Sequence, residues 1–242
     1  MTLITSILER VARQCSVEQP SSWLTATDTE HVELRDDFLP EAVHNILTRL
    51  DLPGPIGKQT VITGTGAEDY DLPSDFLRMQ RDQMAVYETT TTRRALQPVS
   101  NDGEWAHLKE IGSTGYMRYY RVQGYPGNYT IGIYKEPTAT QSVTVSYIST
   151  AWKASAEGVT GDEFTSETDV AILPRELLET GTVYRFRRRK GLDYMDVRTE
   201  YEALLRHHSN DSRSRRQINM GSGPTGRKPW DIPVPDFIPS GS

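Results

Sequence analysis

The 242-residue sequence holds one cysteine, Cys15. A lone thiol forms no internal disulfide, and nothing else in the chain completes a thiolate metal site. Cys15 therefore reads as packing on a helix face, in a chain made in a reducing cytoplasm or with no use for disulfides. Long apolar runs are also missing. No stretch approaches the roughly 20 residues of a membrane span, so no membrane contact is expected. Glu9, Arg10 and Arg13 interrupt MTLITSILERVARQCSVEQ, where a signal peptide needs an unbroken apolar segment. Without an export signal the Asn128-Tyr129-Thr130 sequon is idle. Thr2 stands where N-myristoylation requires glycine.

Catalytic signatures are equally scarce. His31, His44, His107, His207 and His208 are scattered. The adjacent pair His207-His208 points about 100° apart on a helix, so it does not chelate as an i, i+4 pair does. It reads as a cap on a helix C-terminus. No nucleophile-elbow pattern supports a serine triad. The acidic cluster Glu68, Asp69, Asp71 and Asp75 lacks the glycine and late glutamate of an EF-hand loop and reads as a solvated turn. GTGAED lacks the third glycine of a dinucleotide loop. The expectation is a protein with no catalytic, cofactor-binding or metal-ligating residues, and hence not an enzyme.

The net charge of -6 conceals an asymmetry. Residues 1–170 carry 14 basic and 24 acidic side chains, whereas residues 171–242 carry 13 basic and 9 acidic. Such a split suggests faces that meet different neighbours. The densest basic run is RFRRRK, with Arg185, Arg187, Arg188, Arg189 and Lys190. It reads either as a phosphate-contacting surface without sequence readout or as a salt-bridged face near a helix C-terminus.

The order of elements predicts an α+β protein. Residues 2–17 have helical spacing, with Leu3, Ile7 and Val11 on one side. A second helix follows, with Phe38, Val43, Ile46, Leu47 and Leu50 on its apolar side, Pro40 in its first turn and Pro53-Gly54-Pro55 as its stop. From Lys58 apolar residues alternate, as in YTIGIYKEP and SVTVSYIS, and five or six strands are expected. DGEWAHLKEIGSTG and KASAEGVTGDEFTSETD read as surface loops. Helical spacing returns from Pro174 to Gly191 and again through Tyr194, Val197, Tyr201 and Leu204. The architecture expected is a helical bundle built from the N- and C-terminal segments, with a small antiparallel β-sandwich or barrel inserted and an extended C-terminal arm. Its divisions fall at 1–57, 58–152, 153–210 and 211–242.

The segment YDLPSDFLRM, with Tyr70, Leu72, Pro73, Asp75 and Phe76, resembles the head–tail adaptor (head-completion or tail-accessory) proteins of tailed bacteriophages. So do Tyr119-Tyr120-Arg121, GIYKEP, VTVSYIS and LPRELLETGTVYRF followed by KGLDY. The resemblance spans most of residues 60–210. It implies a structural ring, commonly of twelve copies, between the portal and the next tail component (a nozzle, head-closure or tail-terminator protein), with a lumen for genomic DNA. The implied location is the portal vertex of the virion, reached from the host cytoplasm during assembly. The motif itself reads as scaffold: Pro73 extends Leu72, Asp75 bonds nearby backbone, and Phe76 enters the core.

The tail KPWDIPVPDFIPSGS sets Trp230, Ile232, Val234, Phe237 and Ile238 among four prolines. Burying five large apolar side chains is worth about 7–15 kcal/mol at best, and ordering the arm costs a comparable amount. A single arm binds weakly, and many arms on one ring bind together. The arm is expected at the portal or a neighbouring subunit. Two other classes stay open: a carbohydrate-handling β-module, supported by Trp105 and Trp152, and a single-stranded nucleic-acid binder, which the acidic first 170 residues oppose.

Overall fold

The computed structural model describes residues 2–81, 84–90, 94–112 and 118–214, and the protein is α+β. The chain opens with β1 (Thr2–Leu3) and α1 (Ile4–Cys15). Ile4, Ile7, Leu8 and Val11 repeat at three and four residues and are wholly buried, as one face of an amphipathic helix demands. A helical run then extends over α2 (Thr29–Val32), a π-helical stretch (Glu33–Phe38) and α3 (Leu39–Arg49). Pro40 lies in the first turn of α3, but helix precedes it. Proline donates no hydrogen bond and crowds the carbonyl four residues back, and the widened π geometry just upstream accommodates such an insertion.

Next come β2 (Gly57–Thr63), β3 (Asp69–Asp71), β4 (Phe76–Met79), β5 (Val86–Glu88), β6 (Gln97–Pro98), α4 (Asp102–Ile111), β7 (Tyr119–Tyr125), β8 (Asn128–Tyr134) and β9 (Ser142–Ser149). One sheet has β9 at its centre, with β2 on one side and β4 and β5 on the other. A second runs β3-β8-β7-β6. The two share a core: Ile62, Val143, Val145 and Tyr147 from the first meet Tyr120, Ile131 and Ile133 from the second. β9 is buried along nearly all its length, which explains its run of Val, Tyr and Ile.

Two expected loops are structured. Residues 102–111 form α4, capped by the Asn101 side chain, which accepts from the Gly103 amide at 2.8 Å. Among its described side chains Trp105 alone is fully buried; a helix held by one anchor shows no apolar stripe. Residues 153–169 contain β10 (Lys153–Ala154) and β11 (Thr160–Gly161); β12 (Val170–Ala171) follows them and pairs with β1. Lys153 and Asp169 are buried there and joined at 2.7 Å. Burial pushes the Asp169 carboxyl up, but donors from Lys153, Thr165 and Ser166 outweigh it and hold the group below its ordinary range.

The chain closes with α5 (Arg175–Arg189) and α6 (Met195–Ser214). α1, α3 and α6 all pack on α5, and their apolar residues form a core with Ile148 and Trp152. Gly181 sits at the α5–α6 crossing. A Cβ there would lie 2.9 Å from the Tyr201 ring and 3.3 Å from Ala42, so glycine sets how closely three helices approach. His207 and His208 lie inside α6, which continues to Ser214; they are not a C-terminal cap.

Candidate interaction site

The Tyr70–Met79 segment is where the β-sheets meet the helices. Pro73 O accepts from the Phe76 amide at 2.9 Å and closes a tight turn. Leu72 and Phe76 are buried, and Phe76 packs between Tyr129 and Tyr147. Tyr70, on β3, accepts from the Thr65 amide at 3.1 Å. The Asp75 side chain does not bond nearby backbone, as the sequence suggested. It accepts from Lys58 Nζ at 2.7 Å, Ser149 Oγ at 2.7 Å and Tyr147 Oη at 3.0 Å. Burial raises its pKa, yet these three donors leave the carboxyl below its usual range. Burial and the Asp75 charge push the Tyr147 hydroxyl up. The residue intended as a turn-former thus ties two strands together.

Arg78 belongs to the same motif, and its role was not visible in the sequence. Its Nε donates to Leu47 O at 3.0 Å, and its terminal nitrogens donate to Leu50 O at 2.8 Å, Met79 O at 3.0 Å and Asp51 Oδ1 at 2.7 Å. Arg81 adds a bond to Thr48 O at 2.9 Å. The last carbonyls of a helix lack partners within it, and cations suit that end. A guanidinium from β4 and one just beyond it therefore cap α3.

The basic run does not form one face. Lys190 pairs with Glu33 at 2.9 Å, and Arg187 reaches Gln14 O on α1 at 3.3 Å. Arg185 donates to Gly181 O at 2.7 Å, lies 3.6 Å from Glu41, and faces the rings of Tyr184 and Tyr201. Arg188 and Arg189 are exposed. Arg185 and Arg188 line a groove of about 530 Å³ between α3, α5 and α6, together with Arg49, Arg198, Glu41 and Glu202. Arg189 joins Arg185 and Arg188 in an adjoining depression. Arg49 and Glu202 form a two-pronged bond at 2.7 Å, which holds the Glu202 carboxyl below its ordinary range. The structure gathers Arg185, Arg188 and Arg189, adds Arg49 and Arg198 from other helices, and leaves Arg187 and Lys190 in contacts within the chain. Such a groove suits carboxylate or phosphate, which guanidinium forks recognise.

Trp105 and Trp152 are 2% and 3% exposed, so neither ring offers a face to a sugar. Trp105 donates to Glu68 at 3.0 Å and carries the Arg121 guanidinium 4.7 Å over its ring. Glu68 is a bonded partner rather than part of a solvated turn, and the Lys109 donor foremost holds its carboxyl below the usual range. Trp230, Ile232, Val234, Phe237 and Ile238 lie outside the described residues.

No curated protein matches the chain. Residues 2–227 match the family described as SU10 adaptor protein. With nearly its whole length covered, and with the Tyr70–Met79 motif serving as a joint between sheets and helices, the chain belongs to that family of bacteriophage head–tail adaptors.

Proposed function

We propose that the protein is a structural subunit of a homo-oligomeric ring, of twelve copies, that joins the portal to the next tail component and leaves a lumen for DNA. The match of residues 2–227 to an adaptor family carries this reading. In it, residues 1–57 and 153–210 act as a helical bundle, 58–152 as an inserted β-sandwich module and 211–242 as an arm. The arm closes the joint against the portal or a neighbouring subunit through Trp230, Ile232, Val234, Phe237 and Ile238. Arg185, Arg188 and Arg189 offer charge to DNA phosphates in the lumen, without sequence readout, and Arg187 and Lys190 brace the helix that presents them. The ring has no catalytic task and needs no cofactor. It resides at the portal vertex of the virion and is assembled in the host cytoplasm.

The test is to mix purified protein with portal rings and image the product. A ring stacked coaxially on the portal supports the reading; a protein that stays monomeric beside intact portal sinks it. Deleting residues 224–242 should weaken attachment, and undiminished attachment removes the arm from the joint.

A further inference from the structure

β2 lies at the edge of its sheet. Its register against β9 runs from Gly57 opposite Ile148 to Thr63 opposite Ser142. Just beyond the ladder's ends, the Ser149 amide donates to Ile56 O at 2.9 Å and the Gly64 amide to Gln141 O at 2.8 Å. In an antiparallel pair the bonded positions alternate. Even-numbered residues of β2 therefore face β9, and Gln59, Val61 and Thr63 direct their N–H and C=O groups outward. The opposite side of β9 agrees: Ser146 bonds there to Gln80 and Ala85. Among the described residues no strand pairs with this outer edge. The side chains of Gln59, Val61 and Thr63 are exposed as well, Val61 by 61%. An open edge with an exposed valine is a ready template for another strand.

The C-terminal sequence has the matching parity. Pro229, Pro233, Pro235 and Pro239 all occupy odd positions. Trp230, Ile232, Val234 and Ile238 all occupy even ones. In an extended chain, successive residues alternate both in side-chain face and in the edge to which their N–H and C=O point. One edge of residues 229–239 thus keeps every donor, while the other loses four of its six to proline. Strands with that pattern take edge positions and resist further addition. Ile232, Val234 and Ile238 each precede a proline, which biases them toward extended backbone.

We propose that residues 229–239 add as an antiparallel strand to the outer edge of β2 in a neighbouring copy of the chain. Directly opposite residues of an antiparallel pair share a face. The donor-bearing even residues would oppose Gln59, Val61 and Thr63, so Ile232 and Val234 cover the exposed Val61. Main-chain bonds give the affinity and the alternate side chains the selectivity, as in strand addition generally. Phe237 has the proline parity and falls on the opposite face. The stretch between Ser214 and Trp230, about 16 residues, spans up to about 55 Å when extended, enough to reach an adjacent subunit. The choice of a neighbouring copy rests on the ring reading above.

The experiment mixes full-length Val61→Cys protein with full-length Ile232→Cys, Val234→Cys or Pro233→Cys protein under mild oxidation. Every variant also carries Cys15→Ser, so that only the introduced thiols can pair. The expected result is a disulfide between chains for Ile232→Cys or Val234→Cys and none for Pro233→Cys. Equal crosslinking by all three refutes the parity. A disulfide that forms only within a doubly substituted chain overturns the neighbour. No disulfide while rings still form on the portal overturns the surface and leaves the adaptor reading standing; no rings at all overturns that reading and the neighbour with it. Amide exchange gives an independent measure. Asp236→Pro removes a ladder donor and should speed exchange at Gln59, Val61 and Thr63 by about tenfold or more. Asp231→Pro falls on the blocked edge and should leave those rates unchanged; equal effects of the two prolines refute the pairing.

Discussion

Replacing Arg78 with alanine should cost as much as emptying a core position of the Tyr70–Met79 segment such as Phe76. Its side chain is 18% exposed and that of Asp51 11% exposed. The substitution removes the Arg78 fork from one oxygen of Asp51, whose other oxygen accepts from the Arg81 amide at 3.2 Å, and takes a donor from the carbonyls of Leu47 and Leu50. Removing one partner of a fully buried ion pair costs about 3–5 kcal/mol, and a partly buried pair such as this one costs less. The hydrogen bonds to Leu47 and Leu50 are charge-assisted, a class worth about 1.5–3 kcal/mol each. These contributions overlap, since one side chain makes all of them, so the expected loss is about 4 kcal/mol. A domain of this size moves by about 2–4 °C per kcal/mol, which places the melting midpoint roughly 8–16 °C lower. Lysine restores charge but not the fork, and Arg78→Lys should recover less than half. Urea unfolding followed by circular dichroism measures both, and a cycle with Asp51→Ala isolates the pair. A loss below about 1 kcal/mol, or full rescue by lysine, would refute the view that this guanidinium locks the sheets to α3.

Three further outcomes follow from the same contacts. Gly181→Ala gains about 1 kcal/mol of helix propensity but presses a Cβ against a Tyr201 ring whose hydroxyl is held by Asn45 at 3.0 Å; overpacking costs about 1–3 kcal/mol, so urea unfolding should register a net loss of about 1 kcal/mol, and a gain would show the crossing to be loose. Asp75 and Asp169 have depressed folded pKa values, so their stabilisation is complete above an unfolded carboxyl pKa of about 3.9 and disappears as pH falls through the lower folded values. Chemical denaturation between pH 2 and 6 should steepen below about pH 4, and Asp169→Asn should flatten that dependence; an unchanged slope would remove the ion pair with Lys153 from the account. Arg188→Gln with Arg189→Gln should leave folding unchanged, since both are exposed, and should reduce the salt dependence of DNA binding by about 1.8 in log–log slope; an unaltered slope would turn these arginines toward protein.

Local pattern and long-range placement separate cleanly in this chain. The helical spacing through Ile7 and Val11 announces α1, although Leu3, read onto the same face, lies in β1 and is exposed, and the stop at Gly191 follows the end of α5 at Arg189. Alternation in SVTVSYIS announces β9, though its central place makes both faces buried. The reading of residues 102–111 as part of a loop failed because one tryptophan anchors α4. Asp75 looked like a turn-former because its obvious partners are near in sequence, whereas its actual donors Tyr147 and Ser149 lie 72 and 74 residues away. The basic run looked uniform, yet helical rotation sends Arg187 to α1 and Arg188 into the groove.

The sequence by itself determined that α1, α3, α5 and α6 coil and that β8 and β9 extend, because those choices rest on periods of 3.6 and 2 residues and on turn chemistry written within a few positions. Only the tertiary structure decided that Arg78 caps a helix ending about 30 residues earlier, that Gly181 is a contact point for Tyr201, and that Arg49 and Arg198 join Arg185 and Arg188. Such contacts are made across long loops, and the packing that brings the elements together leaves no periodic trace in the order of the residues.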